Sequence, residues 1–208
     1  MMEGEFRIRV TYAMTGRLVM LSHLETARAI ERTVRRSDLP FAVTQGFSPH
    51  MKLAFGSALP VGVGGLAEIF DVTMTAFVPP AEALARLRAA SAPDLMPYDV
   101  RYIDKAVKAA SVAYPFSTYR VELADGADAS VLEVPEEIVV VRKKKEKHLI
   151  PTDFLVGGMH ADGGALTFTL ESKPSGSLRP DVLVQTMLDA AGHAAGEPAG
   201  ASTSEPLH

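Results

Sequence analysis

Cysteine is absent from the 208 residues, which excludes disulfides, zinc sites built on thiolates and any iron–sulfur cluster held by this chain. Long apolar runs are absent as well. None approaches the ~20 residues that span a bilayer, and the opening MMEGEFRIRV lacks the apolar core of a signal peptide. The expectation is a cytoplasmic protein with no membrane partner. An excess of base is also missing: 21 Lys and Arg stand against 25 Asp and Glu, a net charge of −4, and indiscriminate nucleic-acid binding needs a basic surface. The glycine-rich loop Pro60-Val61-Gly62-Val63-Gly64-Gly65 lacks the Gly-Lys-Ser/Thr ending and the following amphipathic helix of a phosphate loop.

What is there is enough apolar residue, 47% against 22% charged, to build a real core. The charge is unevenly placed, with basic residues gathered in Arg28–Arg36 and Arg142–Lys147 and an acidic cluster at Glu133, Glu136 and Glu137. A selective partner suits that distribution better than a generic polyanion.

The stretch Leu21–Lys52 organises the rest. Ser22 reads as an N-cap and Glu25 completes a capping box, so a helix begins at His23. At 100° per residue Met20, Leu24, Ala27, Ile30 and Val34 form one stripe expected to be buried. Glu31 lies within it, with Arg28 and Arg35 a turn to either side, which predicts a partly buried Arg–Glu–Arg ladder. Pro40-Phe41-Ala42-Val43-Thr44 reads as a short strand after the helix. Gly46 through Lys52 then forms a turn-rich loop carrying an imidazole, an ammonium and a hydroxyl, able to hold a phosphate or other polar ligand.

These residues resemble the radical-SAM-linked family of bacterial proteins, a domain of unknown function fused to or encoded beside radical SAM enzymes. The resemblance lies in Ser22-His23-Leu24-Glu25, in Arg32 through Pro40 and in Gln45 through Lys52, and extends weakly to Arg142–Lys147 and Ser177–Asp181. Glu25 stands where the family usually has aspartate, and Met51 where it has a second proline. The resemblance implies a radical SAM enzyme as partner, and with no cysteine here the cluster would belong to that partner.

The order of elements predicts an α+β fold. Residues 1–104 read strand–helix–strand–strand–helix–strand (βαββαβ), a ferredoxin-like unit with an antiparallel sheet and both helices on one face. Residues 105–113 read as a linker or equally as a short helix, 114–193 as a second, degraded ferredoxin-like unit, and 194–208 as a disordered tail. Tandem ferredoxin-like units occur in RNA-handling proteins, an analogy of fold alone. The leading expectation is an accessory or substrate-binding protein working with a radical SAM enzyme through RNA or an RNA-associated substrate.

His23, Arg28, Arg32, Gln45, Ser48, His50 and Lys52 are expected to converge on one ligand-binding patch, because the helix packs back across the strand that feeds the loop. Arg142, Lys143 and Lys145, in a basic strand, and Arg179, before a helix starting at Pro180, make a second candidate set for phosphate contact. The competing reading is a metal-independent endoribonuclease with His23 or His50 as general acid or base and Lys52 or Arg28 stabilising phosphate charge. A metal site from His23, His50 and Glu25 matches no compact ligand spacing. No metal and no cofactor are expected.

Overall fold

A computed structural model describes residues 5–124, 127–142 and 144–192, with only the backbone of Arg142. The fold is mixed α+β with antiparallel sheets and four α-helices among the described residues. The chain divides into two compact units, Met1–Tyr114 and Pro115–His208.

In the first unit a four-stranded sheet is built from β1 (Phe6–Met14), β2 (Leu53–Phe55), β3 (Gly65–Met74) and β4 (Leu95–Ile103), in the order β2-β3-β1-β4. Every pairing is antiparallel. Helix α1 (His23–Arg36) follows β1, and α2 (Pro80–Ala90) follows β3. Alternation along β1 sends Ile8, Val10, Tyr12 and Met14 to one face, and register places Phe70 and Val72 of β3 beside Val10 and Ile8. Ile30 and Val34 of α1 and Ala83 and Leu87 of α2 close this face into one core.

The other face carries Arg7, Arg9, Asp71 and Arg101, and residues 104–114 lie across it. Arg7 donates to the carbonyls of Asp104 and Val107, Arg9 donates to the carbonyl of Lys108 (3.0 Å), and Arg101 donates to the Tyr114 hydroxyl (2.6 Å). The short helix α3 (Ala110–Ala113) sits against β2 and β3. Residues 105–113, read from the sequence as a linker, therefore belong to the cover of the first sheet.

The strand expected at Pro40–Thr44 is replaced by isolated bridges from Phe41 to Met74 and from Val43 to Met51, and β2 begins only at Leu53. Ala42 N–H reaches Thr73 and the chain then turns off the edge. Pro40 has no N–H with which to extend the ladder.

The second unit does not repeat this order. β5 (Phe116–Glu122), β9 (Ala165–Glu171) and β8 (Leu155–Asp162) form a three-stranded sheet, β6 (Ile138–Arg142) and β7 (Lys145–Leu149) form a separate ribbon, and α4 (Pro180–Ala190) closes the unit. Between β5 and β6 there is a three-residue 3-10 turn, Ala129–Val131, where a repeat would need a full helix. Leu166, Phe168 and Leu170 of β9 are buried, as are Leu183, Val184 and Met187 of α4. The expected disordered tail lies outside the described residues.

Candidate functional site

The capping box predicted at α1 is formed. Glu25 N–H donates to Ser22 Oγ (3.4 Å), while Ser22 N–H and Oγ–H donate to Glu25 Oε2 at 2.8 and 2.6 Å. The Ser22 hydrogen bonds hold the Glu25 carboxyl below its usual range, with a smaller contribution from the charge of Arg28. His23 is thereby fixed as the first helical residue, and its ring meets Phe55 edge-on at 5.8 Å. It lines a cleft with Tyr12, Met14, Thr26, Ser57 and Glu68 whose interior, about 20 Å³, has room for about one water. Burial pushes the Tyr12 phenol far up, so it stays protonated.

The rotation of α1 differs from the expected one. Thr26, Ile30, Thr33 and Val34 are buried, whereas Met20 and Leu24 are 66% and 60% exposed. Met20 belongs to a separate 3-10 turn, Gly16–Met20, so it shares no helical face with residues after His23. Leu24, two positions from Thr26, points about 200° away from it. Glu31 is half-buried, as a partly buried ladder requires, with its side chain 38% exposed, and of that ladder the Arg35 half is present: Arg35 Nη2 donates to Glu31 Oε1 at 2.7 Å.

Arg28, Arg32 and Arg35, at i, i+4 and i+7, share the outer face of α1 opposite the buried residues. All three are exposed. His23 lies about 140° around the helix from Arg28 and about 180° from Arg32, so the helix separates the imidazole from those guanidiniums.

After α1 the chain passes under Arg35, whose guanidinium sits 5.6 Å over the Phe41 ring, and reaches a pinned loop. Thr44 N–H donates to the His50 carbonyl (2.7 Å), and His50 N–H donates to Thr44 Oγ1 (3.0 Å), just beyond the Val43–Met51 bridge. Gln45, Phe47, Ser48 and His50 project from this loop into solvent. Lys52 does not join them. Met51, Leu53 and Phe55 pack toward the core, so Lys52 turns to the opposite face of the sheet, where its ammonium pairs with Glu5. The single patch expected from sequence is thus divided. His23 lines its own cleft and Lys52 lies behind the sheet, while Arg28, Arg32 and Arg35 share the outer face of α1, from which Arg35 reaches Phe41 at the entry to the loop that carries Gln45, Ser48 and His50.

The second set is rearranged too. The basic run is no continuous strand: Arg142 pairs with Lys145 across the tip of the β6–β7 ribbon, and Lys144 adopts φ +62° in the turn. Lys143 and the Arg142 side chain lie outside the described residues. Arg179 is engaged by Asp181 in the first turn of α4, with bonds of 3.0 and 2.7 Å to the two carboxylate oxygens, so that helix end already has its anion.

Over residues 7–180 the sequence matches the family described as uncharacterized protein conserved in bacteria (DUF2344). The chain belongs to that family. The DUF2344 match takes in β1 from its second residue, α1 and the 44–50 loop, and ends at the first residue of α4. Among curated proteins nothing matches the chain.

Sequence reasoning missed the most buried charged pair of this DUF2344 member. Arg9 Nε and Nη2 donate to the two oxygens of Asp71 at 2.7 and 2.9 Å, and the Arg9 guanidinium lies 5.2 Å from the Tyr114 ring centre. Hydrogen bonding to Asp71 holds Arg9 even more firmly protonated than usual. Among the described residues no group of three or more His, Asp or Glu is placed to hold a metal ion, and no helix is long and apolar enough to cross a membrane.

Proposed function

We propose that this protein is a non-catalytic, cytoplasmic accessory of a radical SAM enzyme, holding RNA or a substrate carried on RNA for that enzyme. The enzyme link is supported by the sequence resemblance in Ser22–Glu25, Arg32–Pro40 and Gln45–Lys52. The RNA part rests on one observation above all: three exposed guanidiniums on the outer face of α1, the last of which, Arg35, lies over Phe41 where the chain enters a pinned loop of polar side chains. A guanidinium fork matches phosphate oxygens in pairs, and the rise from Arg28 to Arg35, about 10 Å, suits several phosphates better than one.

The first unit reads as a ferredoxin-like fold, supported by its βαββαβ order and the β2-β3-β1-β4 sheet. The tandem reading is confined here to that unit. RNA-binding folds of this kind use the helix-free face of the sheet, but residues 104–114 cover that face here. The proposed contact surface is therefore α1 and the edge loop.

Metal-independent RNA cleavage by His23 or His50 is the weaker reading. His23 faces a cleft with room for about one water, far too small for a nucleotide, and His50 stands exposed to solvent on its loop.

Affinity capture of the tagged protein from a bacterial host tests the proposal. A radical SAM enzyme enriched with it, together with RNA, is the expected result. Capture that repeatedly enriches neither contradicts it.

A further inference from the structure

We infer that Phe47 is a stacking platform for an unpaired base, so that the ligand of the α1 and loop surface is single-stranded RNA; this rests on the RNA reading above and deepens it. Phe47 is 110% exposed, more open than in a reference extended chain. A phenyl ring left wholly in water forgoes all the stabilisation that burial would give it, so its place at the tip contributes nothing to the fold.

Its mounting is nevertheless built. Below the tip the loop is closed by the paired Thr44 and His50 bonds and the Val43–Met51 bridge. On one side of Phe47 stands Gly46 at φ +136°, a conformation that side-chain-bearing residues rarely adopt. On the other, Ser48 precedes Pro49, whose ring fixes the backbone.

The charge around the ring selects the partner. From Val43 to His50 the loop carries no acidic residue, and its base adjoins the arginine face of α1 through Arg35 and Phe41. An aromatic finger beside guanidiniums is the combination that binds single strands, with the ring taking a base face and the cations taking the backbone. In a duplex the base faces are already stacked on one another. An apolar protein pocket would accept Phe47 but would not call for the arginines.

Fluorescence anisotropy with the full chain tests this, using a short labelled RNA as a single strand and annealed to its complement. Tighter binding of the single strand is expected, with Phe47→Ala and Phe47→Leu weakening it roughly 10- to 100-fold and Phe47→Trp retaining it. Because Phe47 packs on nothing, thermal midpoints should stay unchanged. Wild-type affinity in Phe47→Ala, full affinity in Phe47→Leu, or preference for the duplex each overturns the stacking role while leaving RNA binding intact. If the wild type binds neither form at low salt, the RNA reading itself falls and the inference with it.

Discussion

Arg9 and Asp71 face each other across β1 and β3 as a two-pronged ion pair, each side chain only 2% exposed. Two charges taken out of water attract strongly, but each is costly once its partner is gone. Asp71→Ala should therefore lower stability by about 3–5 kcal/mol, read from urea denaturation. The paired replacement Arg9→Met with Asp71→Leu should be far milder than Asp71→Ala, because it removes both charges together. A loss below about 1 kcal/mol in Asp71→Ala, the range of solvent-exposed ion pairs, would mean that water reaches the pair.

The rotation of α1 makes opposite forecasts for two aliphatic residues of one helix. Ile30→Ala empties a fully buried position and should cost about 2–5 kcal/mol. Leu24→Ser, at an exposed position, should stay within about 0.5 kcal/mol of wild type. Denaturation midpoints compare them directly, and similar losses for both would return the helix to the orientation expected from sequence.

How much of this was legible in the sequence depended on range. The capping box at Ser22 and Glu25 and the start of α1 at His23 follow from local rules, and they are present. The face of α1 was misread because Thr26 and Thr33 are polar yet buried, while Met20 and Leu24 are apolar yet exposed. The Arg9–Asp71 pair was invisible because its partners are 62 residues apart and alternation along a strand does not tell whether its polar side is covered. The pair is dry because residues 104–114 fold back over it, and nothing in their small, polar composition distinguishes a cover from a linker. Lys52 left the predicted patch through register: one residue along an edge strand reverses the face.

The capping box also sets a pH dependence. The folded-state pKa of Glu25 is lowered by Ser22, so its stabilising contribution is complete above the ordinary carboxylate pKa and is lost as pH falls through the depressed folded value. Glu25→Gln should accordingly lose stability near neutrality and converge on wild type in acid. Ser22→Ala should cost about 1 kcal/mol at neutral pH. An unchanged wild-type to Glu25→Gln difference down to strongly acid pH would contradict the linkage.

The most direct test of the account is the salt dependence of binding to a single-stranded RNA, compared between wild type and the triple variant R28A/R32A/R35A. Each phosphate contact adds roughly 0.7 to the slope of log affinity against log salt for single strands. The variant should bind more weakly at low salt with a slope shallower by about 2, while its thermal midpoint stays near wild type. Equal affinity and equal slope in the two proteins would contradict the assignment of RNA to the outer face of α1.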